Sequence, residues 1–115
     1  MYENIEYKAS NGKTYIINGD APDLFDDFSH KVMLSIENKT NNNSFTYYIS
    51  VSHPLWEMNW KINPESEELT NSVKEFFLEK AKRLIDSGKE EYLDVTMTPL
   101  NTPKDLTEAI EALKV

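Results

Sequence analysis

Phe45-Thr46-Tyr47-Tyr48-Ile49-Ser50-Val51-Ser52 is the stretch that decides how this chain folds. Phe45, Tyr47, Ile49 and Val51 recur at every second position, and Thr46, Tyr48, Ser50 and Ser52 fill the alternate ones. A period of two puts the first set on one side of a β-strand and the second set on the other. Just upstream, Val32, Leu34 and Ile36 alternate in the same way with Met33, Ser35 and Glu37. The polar run Asn38–Asn43 between them is of the kind that joins two antiparallel strands. Two neighbouring strands, each with one apolar and one polar face, predict a sheet covered on one side only.

The pattern extends in both directions. Towards the N-terminus, Ile5, Tyr7 and Ala9 alternate with Glu6 and Lys8, and Asn11-Gly12 is a two-residue hairpin signal. The return strand, Lys13 to Asn18, carries Tyr15, Ile16 and Ile17, and Gly19 ends it. Asp20 to His30 reads as a connection. Within it, Asp23 to Phe28 is expected to form one helical turn that buries Leu24, Phe25 and Phe28. Towards the C-terminus, Pro54 breaks the run, and Trp56-Glu57-Met58-Asn59-Trp60-Lys61-Ile62 alternates again. Both tryptophans fall on one face of that segment. Its position between Pro54 and Pro64 predicts an edge strand, with Trp60 inside and Trp56 partly exposed at the rim.

The second half changes period. Leu69, Val73, Phe76, Phe77, Ala81, Leu84 and Ile85 fall at three- and four-residue steps, the stripe of a helix packed on a core. Pro64 and Ser66 mark its start, the acids Glu65, Glu67 and Glu68 suit its N-terminal dipole, and Gly88 caps its end. Tyr92 to Thr98 is a further strand. Thr102, Pro103 and Asp105 open a last helix with Leu106, Ala109, Ile110 and Leu113 as its stripe. The expected fold is α+β: an antiparallel meander with a long helix and a C-terminal helix on one face, in the order β-β-β-β-β-α-β-α.

Length and composition set the functional limits. A chain of 115 residues is one domain, 1–115, long enough to bury about 65% of its unfolded surface. With no cysteine, it has no disulfide framework, thiolate metal site or cysteine nucleophile. Twenty acids against twelve bases give a net charge of -8. That disfavours phosphate contacts, so neither direct nucleic-acid binding nor attachment to an anionic membrane is expected. No apolar run approaches the roughly 18 residues of a membrane span, and the acidic, strand-like N-terminus is unlike a signal peptide. The expectation is a soluble cytoplasmic protein. Eleven of the twelve bases are lysine, which with abundant asparagine fits an AT-rich genome such as that of a low-GC bacterium or its phages.

No motif supplies chemistry. His30 and His53 each follow a serine, Ser29 and Ser52, but adjacent strand residues face opposite ways and cannot form a triad. The three glycines leave nothing for a phosphate cradle. Asp20, Asp23, Asp26 and Asp27 crowd four carboxylates into eight residues, without the glycine and closing glutamate of a calcium loop. They read as an acidic surface loop. No catalytic, cofactor-binding or metal-ligating residue is therefore assigned.

The leading expectation is a non-enzymatic module that docks a basic protein partner. Its candidate contact residues are Asp20, Asp23, Asp26 and Asp27 together with Tyr48 and Trp56, with Tyr2 and Tyr92 also on outer faces. In composition (small, acidic, cysteine-free) the chain resembles phage-encoded inhibitors and toxin-immunity proteins, which implies an inhibitor, immunity or adaptor role. A second reading is a small-molecule or peptide binder with a sheet–helix cleft lined by Trp56, Trp60 and Tyr47. A third is a homo-oligomeric structural component joined through the open sheet face or an edge strand.

Overall fold

The computed structural model describes residues 2–19, 23–26, 29–52, 71–98, 102 and 106–114. The chain is α+β. Among the described residues, six strands form one sheet: β1 (Tyr2–Lys8), β2 (Thr14–Gly19), β3 (Asp23–Asp26), β4 (Ser29–Asn38), β5 (Asn43–Ser52) and β6 (Leu93–Met97). Two helices, α1 (Asn71–Asp86) and α2 (Leu106–Lys114), complete the order β-β-β-β-β-α-β-α. The tryptophan segment and the beginning of the predicted long helix lie outside the described residues. The third strand is instead supplied by Asp23–Asp26, where a helical turn is expected from sequence.

The register explains that strand. β5 pairs with β4 along its whole length, from Ser29↔Ser52 to Asn38↔Asn43. On the opposite edge of β4, β2 reaches only from Asn38 to Leu34. This leaves the first residues of β4 to another partner, and β3 takes them, with Asp23 opposite Lys31 and Leu24 opposite His30. Unpaired backbone groups along an otherwise complete sheet are costly, so pairing wins over one isolated helical turn. The sheet order is β1-β2-β4-β5-β6, and β3 continues the β2 edge of β4.

All pairs are antiparallel except the last, because β6 lies parallel to β5. A strand that returns to its sheet after a crossover containing a helix arrives parallel, since the crossover carries the chain back to its starting end. The expected meander is thus a mixed sheet at this one edge. α1 ends as its sequence implies: the Gly88 N–H donates to the Ile85 carbonyl and the Lys89 N–H to the Leu84 carbonyl, 3.0 and 3.2 Å, a Schellman closure. The first hairpin differs from its expected two-residue turn. Ala9 and Lys13 close a three-residue loop, and only Gly12 within it has positive φ (84°), the arrangement with one left-handed residue at the loop's end.

Registered pairs place Ile5 and Tyr7 of β1, Tyr15 and Ile17 of β2, Val32, Leu34 and Ile36 of β4, and Phe45, Tyr47, Ile49 and Val51 of β5 on one face. Leu93, Val95 and Met97 of β6 extend it. Val73, Phe76, Phe77, Ala81 and Ile85 of α1, with Ala109 and Ile110 of α2, share a single core with that face. Tyr2 is a correction. Expected outside, it is buried, and its hydroxyl donates to the Lys74 carbonyl of α1 at 3.0 Å. The cause is a bulge. Tyr2 faces Gly19 and Ile5 faces Ile17, so β1 carries one extra residue between them, and Asn4 adopts φ 48° there. One inserted residue brings Tyr2 to the same face as Ile5.

Candidate functional site

The face of the sheet opposite the helices is built from Lys31, Met33, Ser35 and Glu37 of β4 and Ser44, Thr46, Tyr48, Ser50 and Ser52 of β5. Asp94 and Thr96 of β6 flank it on one side, opposite Tyr48 and Ser50, and Ile16 and Asn18 of β2 on the other, opposite Glu37 and Ser35. It is not uniformly open. At the end nearest β3, Ser50 is only 4% exposed and the Lys31 side chain 12%. Towards the β4–β5 hairpin the face opens: Met33 is 44% exposed and Ser35 and Ser44 are exposed.

Tyr48 sits at the boundary, between Met33 on β4 and Asp94 on β6. The Lys31 ammonium lies 5.0 Å from the centre of its ring and 3.2 Å from the Asp94 carboxylate. Pairs of this kind contribute about 0.5–1 kcal/mol each; here they fix the angle of the ring more than they stabilise the fold. Tyr92 packs on Tyr48, ring centres 5.4 Å apart and tilted by 55°, and is itself 63% exposed. Two tyrosines and a methionine thus make an aromatic patch on a surface of small hydroxyl side chains.

Tyr92 is held in place by the connection that precedes it. Glu90 accepts hydrogen bonds from the Asn38 amide at 2.8 Å and the Tyr15 hydroxyl at 3.3 Å. The Tyr47 hydroxyl donates to the Lys89 carbonyl. Tyr15, Tyr47 and Asn38 are fully buried, so the chain just before Tyr92 is tied to the core. The hydrogen bond from Asn38, helped by those from Asn43 and Tyr15, holds the Glu90 carboxyl below its ordinary value of 4.5. At the other end of the loop, Asp86 accepts from the Tyr7 hydroxyl at 2.6 Å and the Ser10 N–H at 3.0 Å. Partial burial pushes the Asp86 carboxyl up, but these bonds outweigh it and its pKa is lowered.

Both carboxyls therefore bind protons less readily folded than unfolded. Their contribution to stability is complete above the ordinary carboxylate range and fades as pH falls through the lower folded values. Glu90→Gln is expected to lower stability near neutrality, where the carboxylate's contribution is complete, and to converge on the parent as pH falls, which flattens the acid limb of a stability-against-pH curve. An unchanged acid limb in that variant would show that the Glu90 bonds do not favour the ionised form.

Of the six residues expected to contact a partner, Tyr48 lies on the open face. Asp23 and Asp26 are strand residues of β3, opposite Lys31 and Ser29, not members of a loop. Asp23 enters the sheet beside the Lys31 end of the patch. Asp20, Asp27 and Trp56 lie outside the described residues, as do Trp60 and His53. His30 is a β4 strand residue opposite Val51. Tyr47, expected to line a cleft, is instead core. Tyr92 is on the outer face as expected. Lys31, Met33 and Asp94 were not expected. Lys31 and Met33 share the alternation of Tyr48's partner strand, but Asp94 reaches Tyr48 only through the parallel register of β6, for which the sequence carries no local signal.

Among the described residues, no group of three or more histidine or carboxylate side chains gathers closely enough to hold a metal ion, and no helix is long and apolar enough to cross a membrane. No protein-family model, curated protein or solved structure matches the chain.

Proposed function

We propose that this chain is a non-enzymatic protein-binding module, of inhibitor, immunity or adaptor type, that docks a basic partner through its open sheet face. The observation that carries the reading is Tyr92, most of its surface in solvent, packed at a tilt against Tyr48 in a chain of net charge -8. Tyrosine presents a large contact area with few rotors to freeze and a polar tip that tolerates water before binding. The surrounding serine and threonine side chains suit it to adaptable polar contacts. The excess of carboxylates speeds encounter with a cationic surface and selects for it. The aspartates of β3 add to that field from the neighbouring edge.

Capture of partners from a bacterial lysate on immobilised protein tests the electrostatic half of this reading. The partner is expected to be a basic protein, retained in low salt and released as ionic strength rises and the Debye length shrinks. A partner of neutral or acidic charge, or one held equally at low and high salt, would contradict it.

A further inference from the structure

A groove runs along the open face beside the aromatic patch, enclosing about 240 Å³. Asn18 of β2, Ser35 and Glu37 of β4, and Ser44 and Thr46 of β5 line it. The register explains why it exists. Asn18, Ser35 and Thr46 form one row across three strands, and Glu37 and Ser44 the next. The short side chains of the first row, with Ser44 in the second, leave a trough between Met33 and the hairpin, and Glu37 stands beside it. Its volume is below the roughly 300 Å³ at which clefts for drug-sized ligands begin, so it matches one long side chain better than a small molecule.

We infer that this groove receives an arginine side chain of the basic partner, an inference that rests on the docking reading above. The lining is rich in acceptors: the Ser35, Ser44 and Thr46 hydroxyls and the Glu37 carboxylate. The Asn18 side-chain oxygen already accepts the Asn4 N–H at 2.8 Å, which fixes that side chain in one orientation. A planar guanidinium brings five donors and no acceptor, so it can use several of these oxygens at once, whereas a lysine ammonium brings three donors about one point. Hydroxyls also donate, but an anion would have to sit against Glu37 in a chain of charge -8. Glu37 is now paired with Lys39 at 3.4 Å, with both side chains well exposed. An exposed pair of this kind contributes about 0–1 kcal/mol, so an incoming guanidinium displaces Lys39 at little cost. The adjacent Met33 offers apolar surface for the arginine stem.

The test is a titration of the intact protein with two synthetic peptides of equal length and charge, one arginine-rich and one lysine-rich, followed through backbone amide NMR shifts. The arginine peptide is expected to shift Asn18, Ser35, Glu37, Ser44 and Thr46, and to bind about tenfold more tightly than the lysine peptide, the worth of one charge-assisted hydrogen bond. Ser35→Lys, which places the protein's own cation in the trough at an exposed position, is expected to abolish those shifts and leave the spectrum otherwise folded. Equal affinity for the two peptides, or shifts in the groove that survive Ser35→Lys, would overturn the inference. Shifts confined to Met33, Tyr48 and Tyr92 would overturn it while leaving the docking face standing. No shift with either peptide would also overturn it, and the salt-dependent capture would then judge the docking reading separately.

Discussion

Phe77→Ala is expected to lower the free energy of unfolding by about 3–5 kcal/mol. Phe77 lies in α1, is fully buried and packs edge-on against Phe76 with ring centres 5.7 Å apart and planes at 69°. It belongs to the single core that α1 shares with the inner sheet face, so its removal subtracts the transfer energy of a whole ring and leaves a void that the packed core resists closing. A domain of this size holds about 5–15 kcal/mol in all, so the variant retains a small margin or none. Urea denaturation measures it: the midpoint should fall steeply with the slope unchanged. A loss below about 1 kcal/mol would mean that α1 does not seat on the sheet as described.

Gly19→Ala is expected to cost about 1–3 kcal/mol through overpacking. Gly19 closes β2 opposite Leu34 on one side and Tyr2 on the other. A Cβ there would lie 2.5 Å from Leu34 Cδ2 and 2.7 Å from the Met33 carbonyl oxygen. Leu34 is fully buried, and the carbonyl belongs to the backbone of the central strand, so neither can yield freely. The same displacement would disturb Met33 on the docking face. Amide shifts at Met33 should therefore accompany the drop in melting temperature. A variant as stable as the parent would mean that β2 and β4 lie further apart than described.

The sequence carried most of the sheet because alternation is a local signal. Val32, Leu34 and Ile36, and Phe45, Tyr47, Ile49 and Val51, all turn inward as their spacing requires. The α1 stripe is equally legible, since a helix repeats its face every few residues. The misreadings involve pairing between distant segments. Tyr2 moved because a bulge opposite Gly19 and Ile17 changed the phase of β1, and no local pattern announces a bulge. Asp23–Asp26 became a strand because β4 outruns β2 and leaves an edge to be filled, a fact about two other strands. β6 runs parallel to β5 because of the crossover through α1, and that register alone brings Asp94 to Tyr48. The aromatic half of the candidate surface was therefore readable from sequence as Tyr48 and Tyr92. The Lys31–Asp94 clamp and the hydroxyl-lined groove depend on cross-strand neighbours and were not.

The most direct measurement of the docking account is partner capture by Tyr92→Ala beside the parent protein, with a thermal melt of each. Because Tyr92 is mostly exposed, its loss should change stability by no more than about 0.5 kcal/mol. As a central aromatic of the interface, it should weaken capture of the basic partner by about 2 kcal/mol or more, roughly thirtyfold. Undiminished capture by a variant that melts like the parent would contradict the assignment of the docking surface to this face.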